Sequence, residues 1–301
     1  MLNWAALLTE QQNPASEQID EISTLEMLTI INGEDQLVPL AVSKELSHIA
    51  QAVELVSHAF GRDGRLFYLG AGTSGRLGIL DASECPPTFR IPHEQVQGLI
   101  AGGRSAVFSA VEGAEDDPKG AVGQFQEQRL SDRDIVMGIA ASGVTPYVLG
   151  GLDHARSVGC STIFFTCSPQ KTSPSVDIQI APRVGPEVLT GSTRLKAGTA
   201  TKLVLNMITT GAMIRCGKTY GNLMVDLHPS NKKLIDRSQR ILSTLTGLEI
   251  EEARQVLSQA AGDLKIALVM SLCDVSPDRA RALLSAHGGS VKKAVSGSAT
   301  P

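Results

Sequence analysis

The segment that begins at Gly70 combines glycine, hydroxyl and basic side chains in the order Gly-Ala-Gly-Thr-Ser-Gly-Arg. It follows a short apolar run, so the sequence predicts a strand that ends in a turn and opens a helix. Glycines let backbone amides approach an anion, and a helix N-terminus adds partial positive charge. Thr73, Ser74 and Arg76 add side-chain donors. Together with Gly72, these residues predict a phosphate-binding turn.

The same glycines match the G-x-G-x-x-G fingerprint of dinucleotide-binding folds, which is a weak signal by itself. A dinucleotide site also needs an acidic residue at the end of a second strand. Glu94 has roughly the required spacing, but it precedes the second predicted strand instead of following it. The hydroxyl and basic side chains suit a terminal phosphate better than a pyrophosphate. A tight turn that binds no ligand is the remaining alternative.

Two further turns rich in serine, threonine and glycine precede predicted helices. One contains Ser142 and Thr145, and the other contains Ser192, Thr193 and Lys196. Each turn alone is explained by N-capping, because serine and threonine are preferred N-cap residues. Lys196 is alternatively a solvated surface charge. The three turns together favour a phosphorylated small molecule as the ligand.

Two glutamates occupy comparable places in successive strand-helix units. Glu84 lies about two helical turns beyond Arg76, beside a cysteine and two prolines. Glu115 belongs to an acidic run after the second predicted strand, and such a run is usually a solvated helix end. If both glutamates face one pocket in unequal surroundings, one can act as an acid and the other as a base.

The elements that must position these residues alternate between short apolar runs and helix-like sequence. The apolar runs predict five strands, at residues 65–69, 96–101, 134–140, 161–167 and 176–181. This alternation is typical of an α/β fold with a five-stranded parallel sheet flanked by helices. Ligands of such sheets bind beyond the carboxyl ends of the strands. From about residue 242, amphipathic segments predict a small C-terminal three-helix domain.

The domain organisation expected from these patterns is a helical arm at residues 1–50, a ligand-binding domain at 51–227 and a helical domain at 242–301. No internal repeat is evident. The histidines and the five cysteines show no metal-ligand spacing, so no metal site is expected.

The composition excludes several classes of partner. A net charge of −4 provides no basic surface for nucleic acid. No apolar run approaches the length of a membrane span, and the N-terminal residues lack the basic start of a signal peptide. We therefore expect a cytoplasmic protein that binds neither nucleic acid nor membranes.

The residues at 70–89, 112–117, 140–148 and 186–227 together resemble the N-acetylmuramic acid 6-phosphate etherases of the sugar isomerase (SIS) superfamily. The resemblance is weakest towards the C-terminus. It implies an SIS fold, a homodimer with sites near the subunit interface, and neither a metal nor an organic cofactor. It also implies a lyase that uses water to cleave the lactyl ether, giving N-acetylglucosamine 6-phosphate and D-lactate.

By position in the family's motifs, Glu84 matches the proton donor and Glu115 matches the second catalytic acid/base residue. The three hydroxyl turns and Ser83 are the expected contacts of the sugar phosphate. Val144 stands where the family pattern has arginine, and Arg90 replaces an expected glycine. An aldose-ketose isomerase of sugar phosphates and a sugar-phosphate-sensing regulatory protein are the alternatives. The presence of both glutamates favours the enzyme.

Overall fold

A computed structural model of the chain describes residues 4–170, 174–226 and 232–298. Five parallel strands form its main sheet, in the spatial order β2-β1-β3-β4-β5. Their bounds are β1 Leu66–Gly70, β2 Val96–Ile100, β3 Ile135–Ile139, β4 Ser161–Phe165 and β5 Ile178–Ile180. The predicted α/β fold with a five-stranded parallel sheet is confirmed. Each strand coincides with a predicted apolar run because the strands of such a sheet are largely buried.

Helices connect β1 to β2, β2 to β3 and β3 to β4, and they pack against the sheet; for example, α7 packs on β1, β3 and β4. The α-helices from the N-terminus to the long helix after β5 are α1 Thr24–Asp35, α2 Leu37–Ser43, α3 Leu46–Phe60, α4 Gly72–Phe89, α5 Ser105–Phe108, α6 Gly120–Glu127, α7 Pro146–Val158 and α8 Lys196–Arg215. Contacts separate the chain into two units, Met1–Ser83 with His93–Thr209, and Glu84–Pro92 with Thr210–Pro301. We call them the sheet unit and the helical unit; the predicted domain boundaries stay a prediction.

The order of the strands creates a switch point between β1 and β3. The chain leaves β1 for β2 on one side and then returns to β3 on the other side of β1. Gly70 is in register with Ile139, so β1 and β3 end at the same level. Crevices at such switch points are the ligand-binding places of doubly wound sheets. The turns that follow β1 and β3 therefore form the candidate ligand-binding edge of the sheet.

The helical unit is larger than the sequence predicts. It contains a short hairpin, β6 Thr219–Tyr220 and β7 Leu223–Met224, and its described helices after α8 are α9 Lys232–Thr246, α10 Ile250–Gln259, α11 Leu264–Cys273, α12 Pro277–Ala286 and α13 Val291–Ser298. The expected three helices, α10 to α12, are present, but the number is wrong. Charged residues dilute the apolar positions of α9, and the serines and glycine of α13 resemble a tail. Leu242 of α9 and Val291 of α13 are nevertheless fully buried in the core of the unit.

Two turns of the helical unit are built alike. One lies between α10 and α11, and the other lies between α12 and α13. Gly262 and Gly289 take positive φ angles of 82° and 74° in the two turns. Asp263 and Ser290 then cap α11 and α13 by accepting backbone amides three residues on.

Among the described residues, no single helix has both the length and the apolar character to cross a membrane. Only α10 and α11 together meet those criteria, and they are bent by 109° relative to each other.

The amino ends of β1 and β3 are held together by Arg65 and Asp134. Asp134 is 2% exposed, and its two carboxylate oxygens accept hydrogen bonds from Nε and Nη2 of Arg65 at 3.0 and 2.7 Å. Its Oδ2 also accepts the amide of Ser131 at 2.9 Å. Burial by itself raises the pKa of Asp134, but these hydrogen bonds and the charge of Arg65 outweigh it, so the net pKa is lowered.

Asp134→Asn is expected to lower the free energy of unfolding at pH 7 by about 2 kcal/mol, because it removes the charge that accepts two hydrogen bonds from the partly buried guanidinium of Arg65. The folded-state pKa is lowered, so the stabilisation is complete above the unfolded-state pKa of about 4 and is lost as the pH falls through the folded-state value. Urea unfolding between pH 7 and pH 3 measures both effects, and the variant should lose less stability than the wild type below about pH 4. The exposed residue Asp278 provides the control, Asp278→Asn. Identical acid dependence in the wild type and Asp134→Asn would contradict the assignment.

Candidate functional site

The glycine-rich turn after β1 has the predicted strand-to-helix geometry. A Cβ atom on Gly70 would lie 2.7 Å from the backbone nitrogen of Gly75, so only glycine fits there. Gly72 has a φ angle of 52° and is the first residue of α4. Thr73 and Ser74 follow in the first turn of this helix and are half-buried. The first amides of a helix have no acceptor within it, so this turn offers amides and hydroxyls to an anion.

A pocket of about 170 Å³ lies beside this turn, within the sheet unit. Gly72 and Arg76 line it from α4, and residues 110–115 line it from the segment after β2. Nε of Arg76 donates a hydrogen bond of 2.9 Å to the carbonyl oxygen of Val107, which fixes the guanidinium at the pocket. Glu115 is exposed and lines the same pocket. The structure thus brings together the predicted phosphate-binding turn, Arg76 and one of the two predicted catalytic carboxylates.

The second hydroxyl turn follows β3, at the same edge of the sheet. Thr145 has the N-cap position of α7, but its side chain makes no capping hydrogen bond. Within the described ranges, neither Thr145 nor Ser142 has a side-chain hydrogen bond, and both are half-buried. N-capping therefore does not account for these hydroxyls. They lie at the carboxyl end of the strand that pairs with β1.

The third hydroxyl turn differs from the first two because its helix N-terminus is already occupied. The carboxylate of Glu187 accepts the backbone amides of Lys196 and Ala197, both at 2.9 Å. Burial raises the pKa of Glu187, and these amides and the charge of Lys196 partly counter that effect. A carboxylate at this position makes the favourable interaction with the helix dipole that a bound phosphate would make. The first two amides of α8 are therefore already bonded to Glu187, and substrate contacts of Ser192 and Thr193 stay a prediction.

Lys196 is not the solvated surface charge considered from the sequence. It is 2% exposed, and its ammonium group forms an ion pair with Glu34 of α1. Asn13 donates to the same carboxylate at 2.8 Å and to the carbonyl oxygen of Pro186 at 3.1 Å. The N-terminal arm therefore fixes the segment that precedes α8. A direct substrate contact of Lys196 stays a prediction.

Glu84 lies in the helical unit, near the C-terminal end of α4. Its exposed side chain lines a separate pocket of about 370 Å³, together with Thr88, Lys233 and Arg237. The structure of one chain thus places the two predicted catalytic glutamates in two pockets, one in each unit. Their meeting in one site stays a prediction.

The surroundings of the remaining predicted residues on α4 are less specific. The hydroxyl of Ser83 donates to the carbonyl oxygen of Leu80 at 2.8 Å, a bond within the helix, and its side chain is exposed. Glu84 and Glu115 are both exposed as well, so burial in the single chain does not distinguish them.

Asp81 is a polar residue of α4 to which the sequence alone assigns no role. It is 6% exposed, and it accepts hydrogen bonds from the hydroxyl of Tyr68 at 2.8 Å and from Nδ2 of Asn206 at 2.6 Å. Burial raises the pKa of Asp81, and these donors, with the hydroxyl of Thr209, counter it. The carboxylate ties α4 to β1 and α8. The sequence offers only one hint of this role, which is that Asp81 is an acidic residue on a helix whose neighbouring positions are small or apolar.

Arg90 and Val144, the two departures from the family pattern, each change the local structure. Arg90 has a φ angle of 52°, a conformation that costs an ordinary residue roughly 1–2 kcal/mol and suits glycine. Its guanidinium forms an ion pair with Asp263 at 2.9 Å, which partly offsets that strain. Val144 is half-buried in the second hydroxyl turn and provides no donor there.

Comparisons with known proteins identify relatives over nearly the whole chain. A family model described as the glucokinase regulatory protein N-terminal SIS domain matches residues 48–156. The chain is 52% identical to the N-acetylmuramic acid 6-phosphate etherase of Pasteurella multocida, over 96% of this chain and 97% of that protein. It is 54% identical to the protein of the same name from Salinibacter ruber, over 97% and 94% of the two chains. Among solved structures, a phosphoheptose isomerase from Francisella tularensis aligns with 64% of this chain and 100% of its own, with 16% identity and a TM-score of 0.49.

Thr145→Ala tests whether the second turn holds a ligand or caps a helix. Because the hydroxyl makes no capping bond, we expect the free energy of unfolding to change by less than about 0.5 kcal/mol. Loss of a hydrogen bond to a charged group should weaken the binding of a hexose 6-phosphate roughly tenfold, as measured by calorimetry. The matched control is Ser276→Ala, which removes a real N-cap bond to the amide of Arg279. It should cost about 1 kcal/mol of stability and leave affinity unchanged. The reverse pattern in the two variants would contradict the binding role.

Proposed function

The chain belongs to the N-acetylmuramic acid 6-phosphate etherase family and is a carbon-oxygen lyase, and from this premise we propose the reaction that it catalyses. The enzyme cleaves the D-lactyl ether of N-acetylmuramic acid 6-phosphate with water and releases N-acetylglucosamine 6-phosphate and D-lactate. The observation that carries this proposal is an identity of 52% over 96% of the chain to a named etherase. The phosphate-binding turn beside Arg76 and Glu115 is consistent with it.

The 6-phosphate of the substrate is bound at the carboxyl ends of β1 and β3. The amides that begin α4, with the hydroxyls of Thr73 and Ser74, provide donors from one turn. Ser142 and Thr145 provide hydroxyls from the other, and their lack of internal hydrogen bonds supports this role. Binding energy at the phosphate holds the sugar in place while the chemistry occurs several carbons away.

Ser192, Thr193 and Ser83 are proposed as secondary polar contacts of the sugar. Lys196 supports this side of the site through its ion pair with Glu34, which fixes the start of α8.

The chemistry is an elimination followed by an addition. In the open-chain sugar the C2 hydrogen is next to the C1 aldehyde, so a base can remove it. Removal of this hydrogen leaves the electron pair of the C–H bond in an enolate shared between C2 and the aldehyde. In a second step that pair forms a C2=C3 double bond as the bond between C3 and the ether oxygen breaks. The departing oxygen takes a proton and leaves as the hydroxyl of D-lactate. Water then adds its hydroxyl to C3 and a proton returns to C2.

Glu115 and Glu84 divide the proton transfers. Glu115 lies in the pocket beside the phosphate-binding turn, and we assign it the removal and return of the C2 proton. Glu84 is assigned the protonation of the departing ether oxygen, which requires that it be protonated when the bond breaks. Each role is the one that the matching motif position implies for the family.

A homodimer completes this site. Exposed apolar side chains on the sheet unit support an interface: Phe108 is 84% exposed, and with Ile79 and Val107 it lines a pocket of about 460 Å³. Apolar surface of this kind commonly marks a protein contact. Substrate and a second subunit then provide the unequal surroundings that the exposed glutamates lack in one chain. The low net charge and the expected small-molecule substrate fit a cytoplasmic enzyme.

Glu115→Gln and Glu84→Gln separate the two proton transfers in deuterated water. Both should lower lactate release by about a hundredfold or more. Glu115→Gln should also abolish deuterium incorporation at C2, whereas Glu84→Gln should retain exchange at C2 while the ether stays intact. Mass spectrometry of the sugar and an enzymatic lactate assay measure these outcomes.

The control for these variants is Asp116→Asn, which changes an exposed carboxylate next to Glu115 and should preserve both activities. If Glu115→Gln exchanges C2 hydrogen at the wild-type rate, the proposed base is wrong. If the wild type releases no lactate from N-acetylmuramic acid 6-phosphate, the proposed reaction is wrong.

A further inference from the structure

Two cations on one face of α9 have no acidic partner among the residues that the structure describes. Lys233 and Arg237 are four residues apart, so their side chains lie on the same face of the helix, where like charges repel. No residue in the described ranges forms an ion pair with either of them. By contrast, Arg240 on the same helix pairs with Asp236 at 2.8 Å. An anion bound between Lys233 and Arg237 would relieve their repulsion.

Both cations line the pocket of about 370 Å³ that also contains Glu84. All residues of this pocket belong to the helical unit. Pro87 and Met224 supply apolar surface to its lining. Neither cation lies within ion-pair distance of Glu84 in the described structure, so the positive groups stay available to a ligand. The pocket thus combines one acid, two cations and an apolar wall.

The leaving group of the proposed reaction has complementary chemistry. In the lactyl ether, a single carbon carries the ether oxygen, a carboxylate and a methyl group. An acid that protonates the ether oxygen must therefore lie close to that carboxylate. The 6-phosphate is the other anion of the substrate, and it lies at the far end of the sugar chain from the ether.

We propose that Lys233 and Arg237 bind the lactyl carboxylate and determine the enzyme's specificity for a lactyl ether. Pro87 and Met224 contact the methyl group, and Glu84 reaches the ether oxygen from the same pocket. The planar guanidinium of Arg237 is suited to a bidentate contact with a carboxylate. This inference rests on the proposed function, because it assumes that Glu84 acts on the departing oxygen.

The test compares two substrates that differ only in the lactyl carboxylate. One is N-acetylmuramic acid 6-phosphate, and the other has the carboxylate replaced by a carboxamide. Arg237→Gln and Lys233→Gln should each lower kcat/KM for the carboxylate substrate by about 10- to 100-fold, the loss expected for a hydrogen bond to a charged group. Both should leave kcat/KM for the carboxamide substrate within about twofold of the wild type.

Arg240→Gln is the matched control, because Arg240 is a guanidinium of the same helix outside the pocket. It should change kcat/KM for neither substrate. Equal losses on the carboxylate and carboxamide substrates, or no loss on either, would overturn the proposal. A third substrate that lacks the 6-phosphate identifies a phosphate-binding role. If Arg237→Gln erases the preference for the phosphorylated substrate and keeps the preference for carboxylate, the cations bind phosphate and the proposal is wrong.

Binding of D-lactate alone, measured by NMR titration, separates this inference from the proposed function. Wild-type protein should bind D-lactate at least fivefold more tightly than D-lactamide, and Arg237→Gln should lose that difference. If this holds while no lactate is released from the substrate, the anion subsite stands and the proposed reaction falls. If lactate is released but D-lactate binding does not depend on Arg237, the subsite falls and the reaction stands.

Discussion

The parallel pairing of β1 with β3 is the constraint on which the proposed site depends. Arg65 and Asp134 hold the amino ends of the two strands together through a partly buried, bidentate ion pair. The register then brings both strands to an end at the same level, with Gly70 beside Ile139. Because the chain switches sides between these strands, two turns with unused donors lie next to each other. The proposed phosphate site uses both turns and therefore depends on this pairing.

The sequence predicts much of this sheet edge because the relevant signals are local. The buried strands are short apolar runs, and the turn at Gly70 needs glycine because its Cβ would meet the backbone of Gly75. The sequence shows that Ser142 and Thr145 carry hydroxyls. Only the structure shows that the hydroxyl of Thr145, at the N-cap position of α7, makes no capping hydrogen bond. Local patterns thus locate the donors, and three-dimensional contacts decide which of them remain free.

The features that the sequence does not predict depend on contacts between distant segments. Glu187 accepts a backbone amide at the start of α8, and Glu34 forms an ion pair with Lys196. Both glutamates are distant from these partners in the sequence, so no local spacing predicts the contacts. Nothing in the sequence distinguishes Asp81 from other polar residues, because Tyr68 and its other donors come from distant segments. The helices α9 and α13 are not predicted from the sequence, because their weakly apolar segments are stabilised as helices by packing in the core of the helical unit. The separation of the two glutamates into different pockets also depends on how the chain folds.

The central claim is that the bond between C3 of the sugar and the ether oxygen breaks and that water later adds at C3. Reaction in ¹⁸O-labelled water, followed by mass spectrometry and ¹³C NMR of both products, tests this claim most directly. The account predicts ¹⁸O at the C3 hydroxyl of N-acetylglucosamine 6-phosphate and none in the hydroxyl of D-lactate. Label in the lactate hydroxyl, with unlabelled oxygen at C3, would show that the other carbon-oxygen bond breaks and would contradict the mechanism.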